Sequence, residues 1–246
     1  MQKIEFRNSK YLLRRKVISL IIILSFLTSS SFGQLRNEPN LQDHDAKSYH
    51  FGINLGFNRS HFLFSAHPRF LQYDTILDVE SINNAGINLA WLVNFRINDH
   101  FDLRLHPLDL TFSEKNFLYS EKYADTSKVE KKISSITLSF PVHLKFSSDR
   151  INNYKVFTIA GFKFDYDLAS NAGARRAEDL IKLKRGDVSV ELGLGFHFYF
   201  PVFVLTPEIK LSSGLLNLHA RDENLRYSNV IDKINSKMIT FSLTVE

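Results

Sequence analysis

From Tyr49 onward, apolar and polar residues alternate at period two in eight separate runs. The first sets Tyr49, Phe51, Ile53, Leu55 and Phe57 against His50, Gly52, Asn54, Gly56 and Asn58, and the second sets Ile87, Leu89, Trp91, Val93, Phe95 and Ile97 against Asn88, Ala90, Asn94 and Arg96. Successive side chains of a strand point to opposite faces, so each run predicts a strand with one apolar and one polar side. The third run places Phe101, Leu103 and Leu105 against Asp102, Arg104 and His106, then resumes in the other phase at Leu108, Leu110 and Phe112. Pro107 at the change predicts a β-bulge. Runs four to eight cover Ile136–Phe146, Phe162–Leu168, Val188–Phe198, Phe203–Ser212 and Ile239–Val245. A short helical turn is expected within Asn229–Asn235.

The connections alternate in length. Strands two and three, four and five, and six and seven are joined by Asn98–His100, Ser147–Asn153 and Pro201–Val202. The others run over Ser65–Asn84, Ser120–Lys132, Ala169–Gly186 and Ser213–Ser236. Tight turns at one end and long loops at the other are the habit of bacterial outer-membrane barrels. The first 33 residues carry a basic start (Lys3, Arg7, Lys10, Arg14, Arg15, Lys16), an apolar run Val17–Leu27 and small residues to Gly33. This is the form of a cleaved secretory signal, and the apolar run of roughly 11 residues is short of the ~20 that an anchor helix needs. The expected organisation is a signal peptide over 1–33, a polar leader over 34–48 and a barrel over 49–246.

Alternation alone fits a membrane barrel, a soluble barrel of lipocalin type or a β-sandwich. The polar face separates them. It carries Arg96, Asp102, Arg104, Lys145, Lys163, Asp165, Glu191, Glu208 and Lys210, both signs together, with Gly52, Gly56, Gly161, Gly193 and Gly195 interspersed. A solvent-facing row has no need of glycine, whereas the interior of an eight-stranded barrel has little space, and glycines there leave room for long side chains. The fold class expected is therefore all-β: an eight-stranded antiparallel up-and-down transmembrane β-barrel with short periplasmic turns, long extracellular loops and a lumen blocked by a charge network of those nine residues.

Charge changes the picture only through the N-terminus. The chain has 31 basic and 26 acidic residues. Removal of the leading segment takes six bases and one acid and leaves 25 of each, so no nucleic-acid partner is implied. Cysteine is absent, which excludes disulfides and thiolate chemistry. His143 and His197 fall on the inner face, where a satisfied polar network is the expectation, and no catalytic, cofactor-binding or metal residues are assigned. Gly193-Leu194-Gly195 lies inside a strand with no helix after it and is not a nucleotide loop. Arg175, Arg176, Lys182, Lys184 and Arg185 form one basic cluster in a long connection, either a solvated face or a contact for lipopolysaccharide phosphates or an acidic partner.

Several strings resemble the PorT family of outer-membrane proteins associated with the type IX secretion system: FGINLGFN at 51–58, FDLRLHP at 101–107, RINNY at 150–154, YDLAS at 166–170, PEIKLSSGLLN at 207–217 and IDKINSKM at 231–238. The resemblance implies an integral outer-membrane protein, accessory to protein secretion or maturation, in contact with lipid, lipopolysaccharide and other secretion-system envelope proteins. An adhesion or structural barrel and an outer-membrane enzyme acting on lipid or peptide are the competing classes. The chain ends Thr244-Val245-Glu246, without the terminal aromatic residue common in such barrels.

Overall fold

The computed structural model describes residues 39–68, 70, 76–122, 128–169, 181–221 and 226–246. The segment expected to be a signal peptide, with Arg175 and Arg176, lies outside the described residues. Among the described residues nine strands form in chain order: β1 (Tyr49–Ala66), β2 (Ile76–Ile82), β3 (Asn84–Arg96), β4 (Phe101–Glu121), β5 (Lys128–Ser147), β6 (Tyr154–Asp167), β7 (Gly186–Tyr199), β8 (Val204–Gly214) and β9 (Ile231–Val245). Each is antiparallel to its neighbours, and the order β4-β3-β1-β9-β8-β7-β6-β5 closes because β5 also pairs with β4. The result is a ring of eight. β2 does not widen it: β2 pairs with Asn116–Glu121 and β3 with Asp102–Phe112 of the same strand, so the two run end to end along β4 with a break at Asn83.

The registers carry the alternation into space. Phe57 faces Ile87, Ile87 faces Phe112 and Phe112 faces Ile136, so four outward apolar residues share one rung of the wall. Below that rung the outer face is apolar down to a row of aromatics at the short-turn end, where Tyr49 meets Phe51, Phe101 meets Phe146 and Tyr154 meets Phe198 with ring centroids 5.1–5.5 Å apart. In β1 this band runs from Tyr49 to Phe57, the nine residues or so that a tilted strand needs to cross a bilayer. One rung above it, the outward residues become Arg59, Glu114 and Ser134. Large side chains that water would push inside are exposed throughout the band: Phe51 is 66% and Trp91 60% accessible. Lipid is the solvent that makes this arrangement favourable, and a closed ring leaves no unpaired strand edge in it.

The bulge expected at Pro107 is present, as a register shift between Leu105 and Asp109. Three expectations are corrected. β4 and β5 have 21 and 20 residues and continue well past the band, so the long connection between them shrinks to 122–127. β2 occupies part of what reads as a loop. The helical turn lies at Arg226–Asn229, and Ile231–Asn235 belongs to β9, where pairing with Leu63–Ala66 holds it extended.

Candidate functional site

Strand pleat aims alternate side chains of the band into the ring, and there the expected charges meet. Arg104 donates from Nη1 to Glu208 Oε2 at 2.6 Å and from Nε to Asn94 Oδ1 at 2.9 Å, with both charged side chains fully buried. Lys210 stands 3.3 Å from the other Glu208 oxygen, which also accepts from Ser242 Oγ. Lys163 bridges Asp165 and Glu191 at 3.4 Å each, and Glu191 is 2.7 Å from His143 Nε2. Lys145 pairs with Asp102 at 2.9 Å. In a medium of low polarity such charges persist only when matched and hydrogen-bonded. Eight of the nine residues expected in the lumen are in this network. Arg96 is not: it ends β3 at the short-turn end and pairs with Asp99 in the turn, partly exposed.

Reading the sequence missed two classes of interior residue. Asp109, Thr111, Ser113 and Lys115 line the lumen because the Pro107 bulge flips the phase of β4, a signal legible once the bulge is accepted. Phe157 and Ile159, almost fully buried, also point inward. Arg104 lies 4.9 Å and Lys145 5.1 Å from the Phe157 ring centroid, on cation–π terms. The interior glycines accordingly make room for different groups than expected. A Cβ on Gly195 would run into the Phe157 ring, one on Gly193 would press on Ile159, and one on Gly56 would strike the Asn88 amide.

Both ends of the lumen are closed. At the long-loop end, the inner faces become apolar: Phe62, Phe117, Tyr119, Ile181, Leu183, Leu218, Tyr227, Val230, Ile231 and Ile234 form one buried cluster. Phe62 stacks on Phe117 at 5.3 Å, and Tyr119 packs edge-on against Tyr227 at 4.8 Å. Leu183 and His219 bridge two loop segments over this mouth. Of the expected basic cluster, Lys184 and Arg185 are exposed beside that bridge and Lys182 is half-buried. At the short-turn end, residues 39–48 fold across the opening. Asn40 bonds to Asn153 and to the Tyr199 carbonyl, the Arg150 guanidinium reaches the carbonyls of Asn40 and Leu41, and Tyr199 donates to Asp45 at 2.7 Å. Leu41 holds φ at 50°, a left-handed turn that aims His44 and Asp45 back at the barrel. Burial pushes the Asp45 pKa up, but the Tyr199 hydroxyl and the nearby Lys155 and Arg150 outweigh it and hold the group below its ordinary value.

Among the described residues, three buried pairs have the form of general-base chemistry, one of them His197 Nδ1 at 2.7 Å from Thr206 Oγ1. His143 with Glu191 sits in the middle of the lumen, its ring edge-on to His106 at 5.7 Å. His219 Nε2 is 2.8 Å from Ser228 Oγ in the apolar cluster, and Ser228 has no accessible surface. Each pair is sealed inside packed side chains, and a nucleophile needs a substrate within reach.

Residues 32–220 match the sequence profile of a family described as outer membrane protein beta-barrel domain. Among solved structures, the chain is similar to Neisserial surface protein A at 12% identity and a TM-score of 0.42, covering 81% of this chain and 99% of that one. OprG of Pseudomonas aeruginosa has 11% identity and a TM-score of 0.43, with 86% of this chain and 96% of OprG covered. Ail of Yersinia pestis, in complex with the heparin analogue sucrose octasulfate, has 14% identity and a TM-score of 0.37, with 81% and 99% covered. No curated protein sequence matches the chain.

Proposed function

Since the chain belongs to the outer membrane protein beta-barrel domain family, we propose that it serves protein secretion as a closed, non-enzymatic accessory barrel that works through its two aqueous ends. The observation that carries this reading is the lumen, filled in succession by the leader, the charge network and the apolar cluster. A ring of eight strands has space for side chains and none for a translocating polypeptide. Its contribution to export therefore rests on surfaces that other envelope proteins can reach. The resemblance to the PorT family supports type IX secretion as the process, and the habit of such barrels to keep short turns in the periplasm supports a periplasmic leader. Lys182, Lys184 and Arg185 lie at the long-loop mouth, which we assign to the extracellular side, with lipopolysaccharide phosphates or an acidic partner as their ligands.

Deletion of the gene, followed by a survey of secreted proteins, tests the reading. Loss of a defined set of exported proteins with an intact outer membrane supports it. Unchanged export with altered attachment to surfaces would transfer the barrel to the adhesion class. Steady ion conductance of the reconstituted protein in planar bilayers would contradict the closed lumen.

A further inference from the structure

The periplasmic mouth gathers three groups from distant parts of the chain. His44 comes from the leader, His50 from the start of β1 and Glu246 from the residue after β9, and their ligand atoms all lie within 4.8 Å of one another. We propose that they form a binding site for a divalent transition-metal ion, zinc being the best fit, which no part of the barrel architecture requires.

The donor set comes first. Two imidazoles and one carboxylate are the protein ligands of zinc sites that keep a fourth position for water, and imidazole suits zinc, copper and nickel where an all-oxygen set would suit magnesium or calcium. The surroundings support the assignment independently. The Nδ1 atom of His44 is buried and has no hydrogen-bond partner among the described residues, so one imidazole nitrogen is desolvated without compensation. The other carboxylates lining the same pocket are committed: Asp45 to Arg150 and Lys155, Asp99 to Arg96, and Asp102 to Lys145. The Glu246 carboxylate accepts from the Asn94 amide at 3.2 Å and has no ion pair among the described residues.

Each ligand is also held in place. Reciprocal backbone bonds with Val204 continue the ladder through Glu246. His50 is opposite Asn94 in the β1–β3 register, and the His44 ring stacks on the His50 ring at 4.2 Å. Ligand atoms around zinc stand about 3.4 Å apart when bonds are ~2.0–2.2 Å long, so small rotations of the three side chains complete the site.

The test uses the full chain as exported, refolded in detergent without a histidine tag, with zinc chloride in titration calorimetry and cobalt(II) as a visible-absorption probe. About one equivalent of zinc should bind, with cobalt bands of low-coordinate form. His44→Ala, His50→Ala and Glu246→Gln should each weaken binding about tenfold or more, while His61→Ala on the opposite half of the barrel should not. Heat-modifiable migration in gels reports whether each variant is folded, and His44→Ala stands outside every strand should His50→Ala fail. Absence of saturable uptake, or uptake that survives His44→Ala, would overturn the site.

Discussion

The barrel has two interiors, and they are built on opposite rules. Within the lipid band, β4 turns Arg104, Asp109 and Thr111 inward and Leu110 and Phe112 outward; beyond it, after Lys115 on the same inner face, come Phe117 and Tyr119, while Glu114 has appeared outside. The strand does not change conformation at that point. Its solvent does. Against lipid, an outward Phe loses nothing and an outward Lys cannot be solvated, so polar groups go inside and must find one another. Above the lipid, water expels Phe117 and Tyr119 into the interior by the ordinary hydrophobic effect. One continuous ladder thus carries an inverted core below and a conventional core above, and the level of Lys115 is the seam: its ammonium donates to Ser236 at 2.9 Å on the polar side and lies 4.9 Å from the Phe62 ring on the apolar side.

The sharpest way to break the comparison is to unbalance the lower interior. Glu208→Ala strands the fully buried Arg104 and Lys210 and should cost about 3–5 kcal/mol, read as a lowered urea midpoint for the whole barrel. Arg104→Met combined with Glu208→Leu should recover only the part of that loss due to Arg104, and adding Lys210→Met should recover most of the rest, because apolar residues then replace the whole buried triad. If the double variant is no better than the single, pairing is not what the lower interior needs.

The upper interior should fail locally. Phe117→Ala should cost about 3 kcal/mol by leaving a cavity, yet appear as faster protease cleavage at the long loops with the lipid band intact. A barrel that loses its heat-modifiable form altogether would show that the cap and band unfold as one.

A smaller effect is expected at Gly195. Gly195→Ala forces the Phe157 ring aside and should cost about 1–3 kcal/mol, with Phe157→Leu restoring it in combination. The least is expected from pH. Burial lowers the pKa of His219 in the cap below 6.5, with a hydrogen bond from its ring to the Asp232 carbonyl opposing that shift. The unfolded chain therefore binds this proton first, and stability present above about pH 6.5 falls as the pH drops through the histidine range. Acidification should loosen the cap by the protease assay, and His219→Gln should flatten the dependence.

Much of the lower interior was legible from sequence because period-two alternation and the lipid-facing rule both act residue by residue. Arg104, Lys163, Glu191 and Glu208 could be placed inside without knowing their partners. The partners were not legible, since Arg104 and Glu208 lie on β4 and β8, on opposite sides of the ring order. Phe157 and Ile159 were missed because an apolar residue on the inner face breaks the pattern from which the face is recognised. The upper interior reads as loops for the same reason: around Asn116–Tyr119 apolar residues become inward and the alternation loses contrast at the seam. The clustering of His44, His50 and Glu246 depends on a leader that folds back at Leu41, and no local spacing announces it.

The closure of the ring also sets a timetable. The last seam joins β1 to β9, from Ile53 opposite Val245 to Ala66 opposite Ile231, and its Asn54 amide bonds a hydroxyl 190 residues away. The first strand to be synthesised therefore keeps one bare edge until the final strand arrives, and such distant pairing is slow to form. During that interval the chain presents a row of unsatisfied backbone groups, a string of aromatic side chains and a set of charges whose partners are not yet opposite them. The rate at which the C-terminal strand is delivered to β1 thereby becomes the clock for ring closure.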